Sequence, residues 1–172
     1  MYELLKEAEL VEGLSAGEVQ RLAAIGRRRA LRPGEYVFLL GDNADFLSIV
    51  LSGRVDLCFP MSLGDVVKDI SVESLGPGQA LGWSALVKPY RFTLSARTTE
   101  PCELISLARY DLLRLFEDEP RIGCILLARV SEIVGVRLST FQALWGRELQ
   151  RRLATGTPPV TDSEEGPQRG RR

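Results

Sequence analysis

Leu31-Arg32-Pro33-Gly34-Glu35, then Gly41-Asp42, then Phe46-Leu47-Ser48-Ile49-Val50-Leu51-Ser52-Gly53-Arg54-Val55 is the run whose reading decides the fold. Pro33-Gly34-Glu35 is turn chemistry, residues 36–40 are β-rich, and residues 41–45 make a second turn. Residues 46–51 read as a strand, Ser52-Gly53 as a tight turn, and residues 54–59 alternate polar and apolar. Short strands broken by glycine at near-regular intervals predict an antiparallel sandwich or barrel. Further strands are expected at about residues 66–72, 80–81, 92–99 and 102–106, so the β portion occupies about residues 27–107.

Helices flank this β portion. Ser15-Ala16-Gly17-Glu18 is a capping box, followed by the apolar face Val19, Leu22, Ala23 and Ile25, with Gly26 as the expected stop. The basic run Arg27-Arg28-Arg29 with Arg32 reads as a solvated strand or helix end. Past Leu107, residues 110–116 form a short helix, and Glu119-Pro120 restarts the chain. A longer helix then carries Ile122, Leu126, Val130, Val134, Leu138, Phe141 and Trp145. Running unbroken to about residue 149, it would hold ~30 residues and span ~45 Å. Gly135 is its weak point, at ~1 kcal/mol against alanine. So long an apolar stripe exceeds what one small barrel covers, so its distal half is expected to meet a partner. From residue 154 on, Thr, Pro, Gly, Ser and charges dominate, giving a domain of residues 1–150 and a disordered tail at 151–172.

The stretch Leu81-Gly82-Trp83-Ser84-Ala85-Leu86-Val87-Lys88-Pro89-Tyr90-Arg91-Phe92-Thr93-Leu94-Ser95-Ala96-Arg97 carries the chemistry. A glycine turn enters one short helical turn, then a proline-marked loop, then a strand. That arrangement points the first backbone N–H groups of a helix into a pocket, which is how a chain holds a phosphate without a lysine. Ser84 either lends a hydroxyl to the amides of Ala85 and Leu86 or simply caps the turn.

Composition bounds the rest. The 172 residues are 45% apolar and 26% charged, with net charge −1, which suits one soluble domain and provides no field that draws nucleic acid or a membrane. Met1-Tyr2-Glu3-Leu4-Leu5-Lys6-Glu7 lacks an apolar signal core, and no run reaches the ~20 apolar residues of a membrane helix. Cys58, Cys102 and Cys124 are odd in number and scattered, so reduced thiols in a cytoplasm are expected in place of a disulfide framework. The chain has no histidine, which removes Ser-His-Asp and Cys-His chemistry and imidazole-ligated metals. No catalytic residue, metal or cofactor is expected, and the chain is read as not an enzyme.

The order of helix, glycine-punctuated β-roll, turn-helix cassette, short helix and long helix over residues 10–150 resembles the cyclic nucleotide-binding domain family. That family includes catabolite activator proteins, kinase regulatory subunits and gated channels. The resemblance implies an antiparallel, jelly-roll-like β-roll with an N-terminal helix and C-terminal short and long helices. It also implies a ligand site at Leu81, Gly82, Trp83, Ser84, Ala85, Leu86, Tyr90, Arg91, Thr93 and Arg137. The cassette departs from the family pattern at two anchors. Members that bind cyclic nucleotide carry Phe-Gly-Glu, the glutamate accepting from the ribose hydroxyl; here the triplet is Leu81-Gly82-Trp83, and an indole cannot accept. The family's phosphate-pairing arginine lies six residues before an alanine that matches Ala96, and that count lands on Tyr90, with Arg91 one step late. In an extended segment one step reverses the side chain's face. Arg91 can still serve if the loop shifts, and Arg137 is a second candidate cation. Trp83 and Tyr90 either pack together and close the pocket or form a platform for another ligand.

Three functions follow as expectations. The first is a stand-alone, non-catalytic regulatory module of bacterial type. It dimerises through the long helix, couples the cassette to a hinge near Asp118-Glu119-Pro120, and takes a ligand other than ordinary cyclic AMP or none. The second is a true cyclic AMP or cyclic GMP sensor with Arg91 or Arg137 on the phosphate. The third is a ligand-free scaffold with an unknown protein partner. Transcription factors of the family append a winged helix-turn-helix of on the order of 60 residues. Only a short polar tail follows residue 149, so no DNA binding by this chain alone and no membrane contact are expected.

Overall fold

The computed structural model describes residues 2–63 and 66–155, and the glycine-punctuated run becomes two four-stranded antiparallel sheets. The strands are β1 (Gly26–Leu31), β2 (Tyr36–Phe38), β3 (Phe46–Ser52), β4 (Val55–Leu63), β5 (Val66–Leu75), β6 (Ala80–Leu81), β7 (Ser95–Thr98) and β8 (Cys102–Ala108). One sheet has the order β1-β8-β3-β6 and the other β2-β7-β4-β5. The chain therefore changes sheet at almost every turn, and only the β4–β5 hairpin stays in one layer. This is the β-roll the sequence predicts. β3 shows no alternation because both its faces are covered: Leu47, Ser48, Ile49 and Val50 are all buried. Leu47 and Ile49 lie opposite Leu107 and Ile105, and the buried hydroxyls of Ser48 and Ser106 satisfy each other at 2.8 Å. All three cysteines are free thiols, Cys58 and Cys102 buried and Cys124 exposed.

The helix α2 (Ala16–Ile25) starts where its capping box predicts, with the Glu18 carboxylate accepting from both the N–H and the hydroxyl of Ser15 at 2.7 Å. It ends at Gly26, for a different reason from the one expected. Gly26 is extended, at φ −77°, and a Cβ there would stand 2.2 Å from Ile105 Cδ1. The glycine is a close-packing point between α2 and β8. The run Arg27-Arg28-Arg29 continues directly into β1, an edge strand whose Arg28 pairs with Glu103.

Glu18 gives a first expected result. Hydrogen bonds from Arg121 and Ser15 hold its carboxyl at about 2, against an ordinary value of 4.5. A depressed carboxyl stabilises the fold above its unfolded value and loses that contribution as pH falls through the folded one. Glu18→Gln retains an amide that can still complete the capping box while removing the charge. The melting difference between parent and Glu18→Gln is therefore expected to be complete above about pH 5, to shrink below it, and to vanish near about pH 2. A difference that is flat across this window by calorimetry contradicts the assignment.

The β4–β5 hairpin is longer than expected. β7 pairs with β4 only over Val55–Cys58, so beyond that the two arms pair with each other alone. This outer part exposes Phe59, Met61, Val67 and Ile70. β5, at the sheet edge, carries Lys68, Asp69 and Glu73 along its length.

After β8 come α3 (Arg109–Asp118) and α4 (Pro120–Ala154), joined through Glu119 at φ −134°, ψ 75°. Gly123 permits the tight joint, since a Cβ would meet the Phe116 side chain at 3.0 Å. α4 holds 35 residues and continues through Gly135. It passes from one compact unit, ending at Ile133, into a second that begins at Val134. Within the second unit Val136, Leu138, Phe141 and Trp145 are exposed, and Glu148 pairs with Arg151 and Arg152. The expected tail falls mostly on residues 156–172, outside the described residues, while residues 151–154 are helical. Two short elements precede α2: α1 (Tyr2–Leu5) and a 3-10 turn at Glu9–Val11. Glu9 ties this segment to the edge of the roll, its N–H donating to Gly78 at 3.1 Å and its carboxylate accepting from Ala80 N–H at 2.8 Å. No described helix is long and apolar enough to cross a membrane.

Candidate functional site

The cassette hangs from β6. Leu81 lies opposite Ser48 of β3 and is fully buried. Gly82 follows at φ +80°, where a Cβ would stand 3.0 Å from the Phe46 carbonyl oxygen and 3.3 Å from the Phe92 ring. Left-handed backbone and lack of space both require glycine. Trp83–Ala85 then form the expected short helical turn, a single 3-10 turn. Ala85 N–H donates to the Gly82 carbonyl at 3.0 Å and Leu86 N–H to the Trp83 carbonyl at 2.9 Å. The two amides that the sequence reading aims at a phosphate are thus turned back on the cassette's own carbonyls. Ser84 is buried, at 4% exposure, and Trp83 is half-buried.

The descending limb is held by β2, β3 and the turn between them. Phe92 stacks on Phe38, with ring centroids 3.7 Å apart and planes within 7°, and Phe46 packs on both. Phe92 N–H donates to Asp42 and its carbonyl accepts from Gly41 N–H at 2.8 Å, so the limb is zipped to the β2–β3 turn. Phe92 and Thr93 fall in loop, because the strand expected from residue 92 begins at Ser95. Tyr90 has φ 60°, an uncommon conformation for a bulky residue. Its half-buried side chain lies under the guanidinium of Arg109, 4.8 Å from the ring centroid. Arg109, the first residue of α3, donates to the Ala44 carbonyl at 3.2 Å and to Asp45 Oδ1 at 3.1 Å. The cassette limb and α3 therefore share one fastening.

Arg91 is exposed and donates to the Gly41 carbonyl at 2.7 Å. Thr93 is exposed, Leu86 half-buried and Ala85 fully buried. Arg137 is half-buried on α4, in the second unit. The first unit thus brings together every expected site residue except Arg137. Sequence reasoning missed Arg109, Asp45 and the Phe38–Phe46–Phe92 cluster. Arg109 stands 19 positions after Tyr90, with β7 and β8 between them, and no local pattern signals that contact.

The sequence model described as the cyclic nucleotide-binding domain matches residues 28–119. The cyclic AMP receptor protein of Thermus thermophilus is 33% identical over 128 residues, which are 73% of this chain and 58% of that protein. Glutaminase 1 of Bradyrhizobium diazoefficiens is 30% identical over 138 residues, 78% of this chain and 21% of that protein. The chain thus spans less than two thirds of the length of either relative. The crystal structure of the Thermus thermophilus catabolite activator protein superposes with a TM-score of 0.68 at 28% identity, covering 84% of this chain and 63% of that one.

Proposed function

Because the chain belongs to the cyclic nucleotide-binding domain family, we propose that it is a non-catalytic regulatory module whose cassette is rebuilt against ordinary cyclic AMP. The observation that carries this reading is the environment of Tyr90. At the position of the family's phosphate-pairing arginine stands an aromatic ring, and an arginine from α3 covers it. Trp83 at the glutamate position removes the ribose acceptor as well. A bound phosphate would find the Ala85 and Leu86 amides already engaged. The cation it would recruit, Arg109, is bonded to Asp45.

The output arm is α4. Its distal half exposes Phe141 and Trp145, at 62% and 57%, more apolar surface than an unpartnered helix commonly carries. This supports a homodimer through the long helix. Arg109 links the cassette limb to the start of α3, so a ligand that displaces Tyr90 biases the Glu119-Pro120 joint at the other end. Glutaminase chemistry is not carried over, since the match to that relative spans a fifth of it.

Thermal unfolding with and without about 1 mM cyclic AMP or cyclic GMP tests the reading, since ligand at a hundred times its dissociation constant adds about 2.7 kcal/mol. The expected result is no shift for either nucleotide, with a dimer by light scattering at micromolar concentration. A shift of several degrees, lost in Arg91→Ala, favours the second reading, a nucleotide sensor. The single carbonyl contact of the exposed Arg91 is one that a phosphate competes with readily.

A further inference from the structure

The joint between α3 and α4 is gripped by charges from a third element. Glu18 and Arg21, three residues apart on α2, meet Arg121 and Glu119, which flank Pro120. The pairs are reciprocal: Arg21 of α2 holds Glu119 of the joint, and Arg121 of the joint holds Glu18 of α2 with both carboxylate oxygens engaged. Two turns further along α4, Arg129 repeats the grip on the segment before α2, donating to the Glu12 carbonyl at 3.1 Å and pairing with its carboxylate at 3.3 Å.

The two central pairs differ in kind. Arg21 and Glu119 are 51% and 34% exposed, and such a pair contributes little alone because water and salt compete for it. The Glu18 side chain is only 9% exposed and already accepts two bonds from Ser15, so its carboxylate is fixed in place before Arg121 arrives. Swinging α4 away from α2 would leave that buried carboxylate without its cation. A half-open joint retains the cost and gains nothing, so the arrangement favours two discrete settings over a continuum.

We propose that Glu18, Arg21, Glu119 and Arg121 form a latch that sets the angle of α4 at Glu119-Pro120, and that regulation of the module consists in shifting the latch between closed and open. The proposal rests on the reading above only in taking this joint as the moving part. It requires no ligand, and neither does its test.

The natural Cys124, exposed on the second turn of α4, takes one spin label, and Gln20→Cys on the exposed side of α2 takes the other. Cys58 and Cys102 are buried and stay unlabelled. Pulsed dipolar spectroscopy on the full chain, with labelled protein diluted into an excess of unlabelled protein so that a dimer carries one labelled protomer, is expected to give one dominant distance. Arg21→Glu sets two carboxylates against each other, and the longer-distance fraction is expected to rise severalfold above that of the parent. Adding Glu119→Arg restores the crossed pair and the single distance. Glu18→Gln is expected to populate the longer distance as well, as is about 1 M salt in the parent, where the screening length falls to about 3 Å. An unchanged distribution in all of these overturns the latch, as does a longer distance in Arg21→Glu that Glu119→Arg fails to reverse. If Glu18→Gln does not fold by circular dichroism, the exposed Arg21 and Glu119 arm decides alone. A failed latch leaves the cassette reading untouched, and a nucleotide-induced melting shift leaves the latch untouched.

Discussion

Replacing Trp83 with glutamate and Tyr90 with arginine is expected to raise the affinity of this chain for cyclic AMP by about two to four orders of magnitude. Each substitution restores one anchor, and a hydrogen bond to a charged group contributes roughly 1.5–3 kcal/mol. Two such contacts sum to about 3–6 kcal/mol, and each 1.4 kcal/mol is tenfold in the dissociation constant. The backbone is ready for the change: Gly82 already makes the left-handed turn, and Ser84 is already buried beside it. Arginine at position 90 inherits φ 60° at no greater strain than tyrosine bears now. It also frees the guanidinium of Arg109, still bonded to Asp45, from stacking duty. Titration calorimetry of parent, both single variants and the double variant measures the effect. Equal affinities in parent and double variant would mean that these two positions are not what separates this cassette from its relatives.

Phe92→Ala is expected to lower the melting temperature by about 10 °C. The ring is 3% exposed, stacked on Phe38 and packed on Phe46, and it fills the space in front of Gly82. Truncating a buried phenylalanine costs about 3–5 kcal/mol through lost transfer energy and the cavity left behind. In a chain of this length each 1 kcal/mol moves the midpoint by about 2–4 °C. The same ring packs the cassette limb onto β2 and β3, so the loss should fall on the cassette before it reaches the rest of the sheets. Calorimetry checks the first statement and amide exchange at residues 82–92 the second. A midpoint within about 2 °C of the parent would show that the cluster collapses around the gap without penalty.

Much of the fold is legible in the sequence, because turn chemistry is local. Pro33-Gly34, Gly41-Asp42 and Ser52-Gly53 announce chain reversals whatever lies across from them, and the β-roll follows from their spacing. The capping box on α2 is equally local. β1 is less legible since its arginines carry no apolar alternation; the strand exists because β8 offers it a partner. Gly26 shows a right boundary reached for an incomplete reason, as the side chain it must avoid belongs to Ile105, at the far end of the β-roll. The candidate site divides in the same way. That positions 83 and 90 hold tryptophan and tyrosine where the family resemblance implies glutamate and arginine can be read directly from the chain. What packs against them cannot, since the partner of Tyr90 comes from α3, and the latch joins Glu18 to Arg121 across 103 positions.

The outer half of the β4–β5 hairpin sets a limit on what this sequence can afford to change. Its exposed Phe59, Met61, Val67 and Ile70 sit beside an unpaired strand edge, the composition from which sheets of neighbouring molecules grow. Lys68, Asp69 and Glu73 interrupt that edge with charge. Asp69 also accepts from the Tyr36 hydroxyl, which ties this edge to β2 within the molecule. Between neighbouring molecules the three charges keep one exposed edge from pairing with the next, so the cost of neutralising them falls on association in a crowded solution.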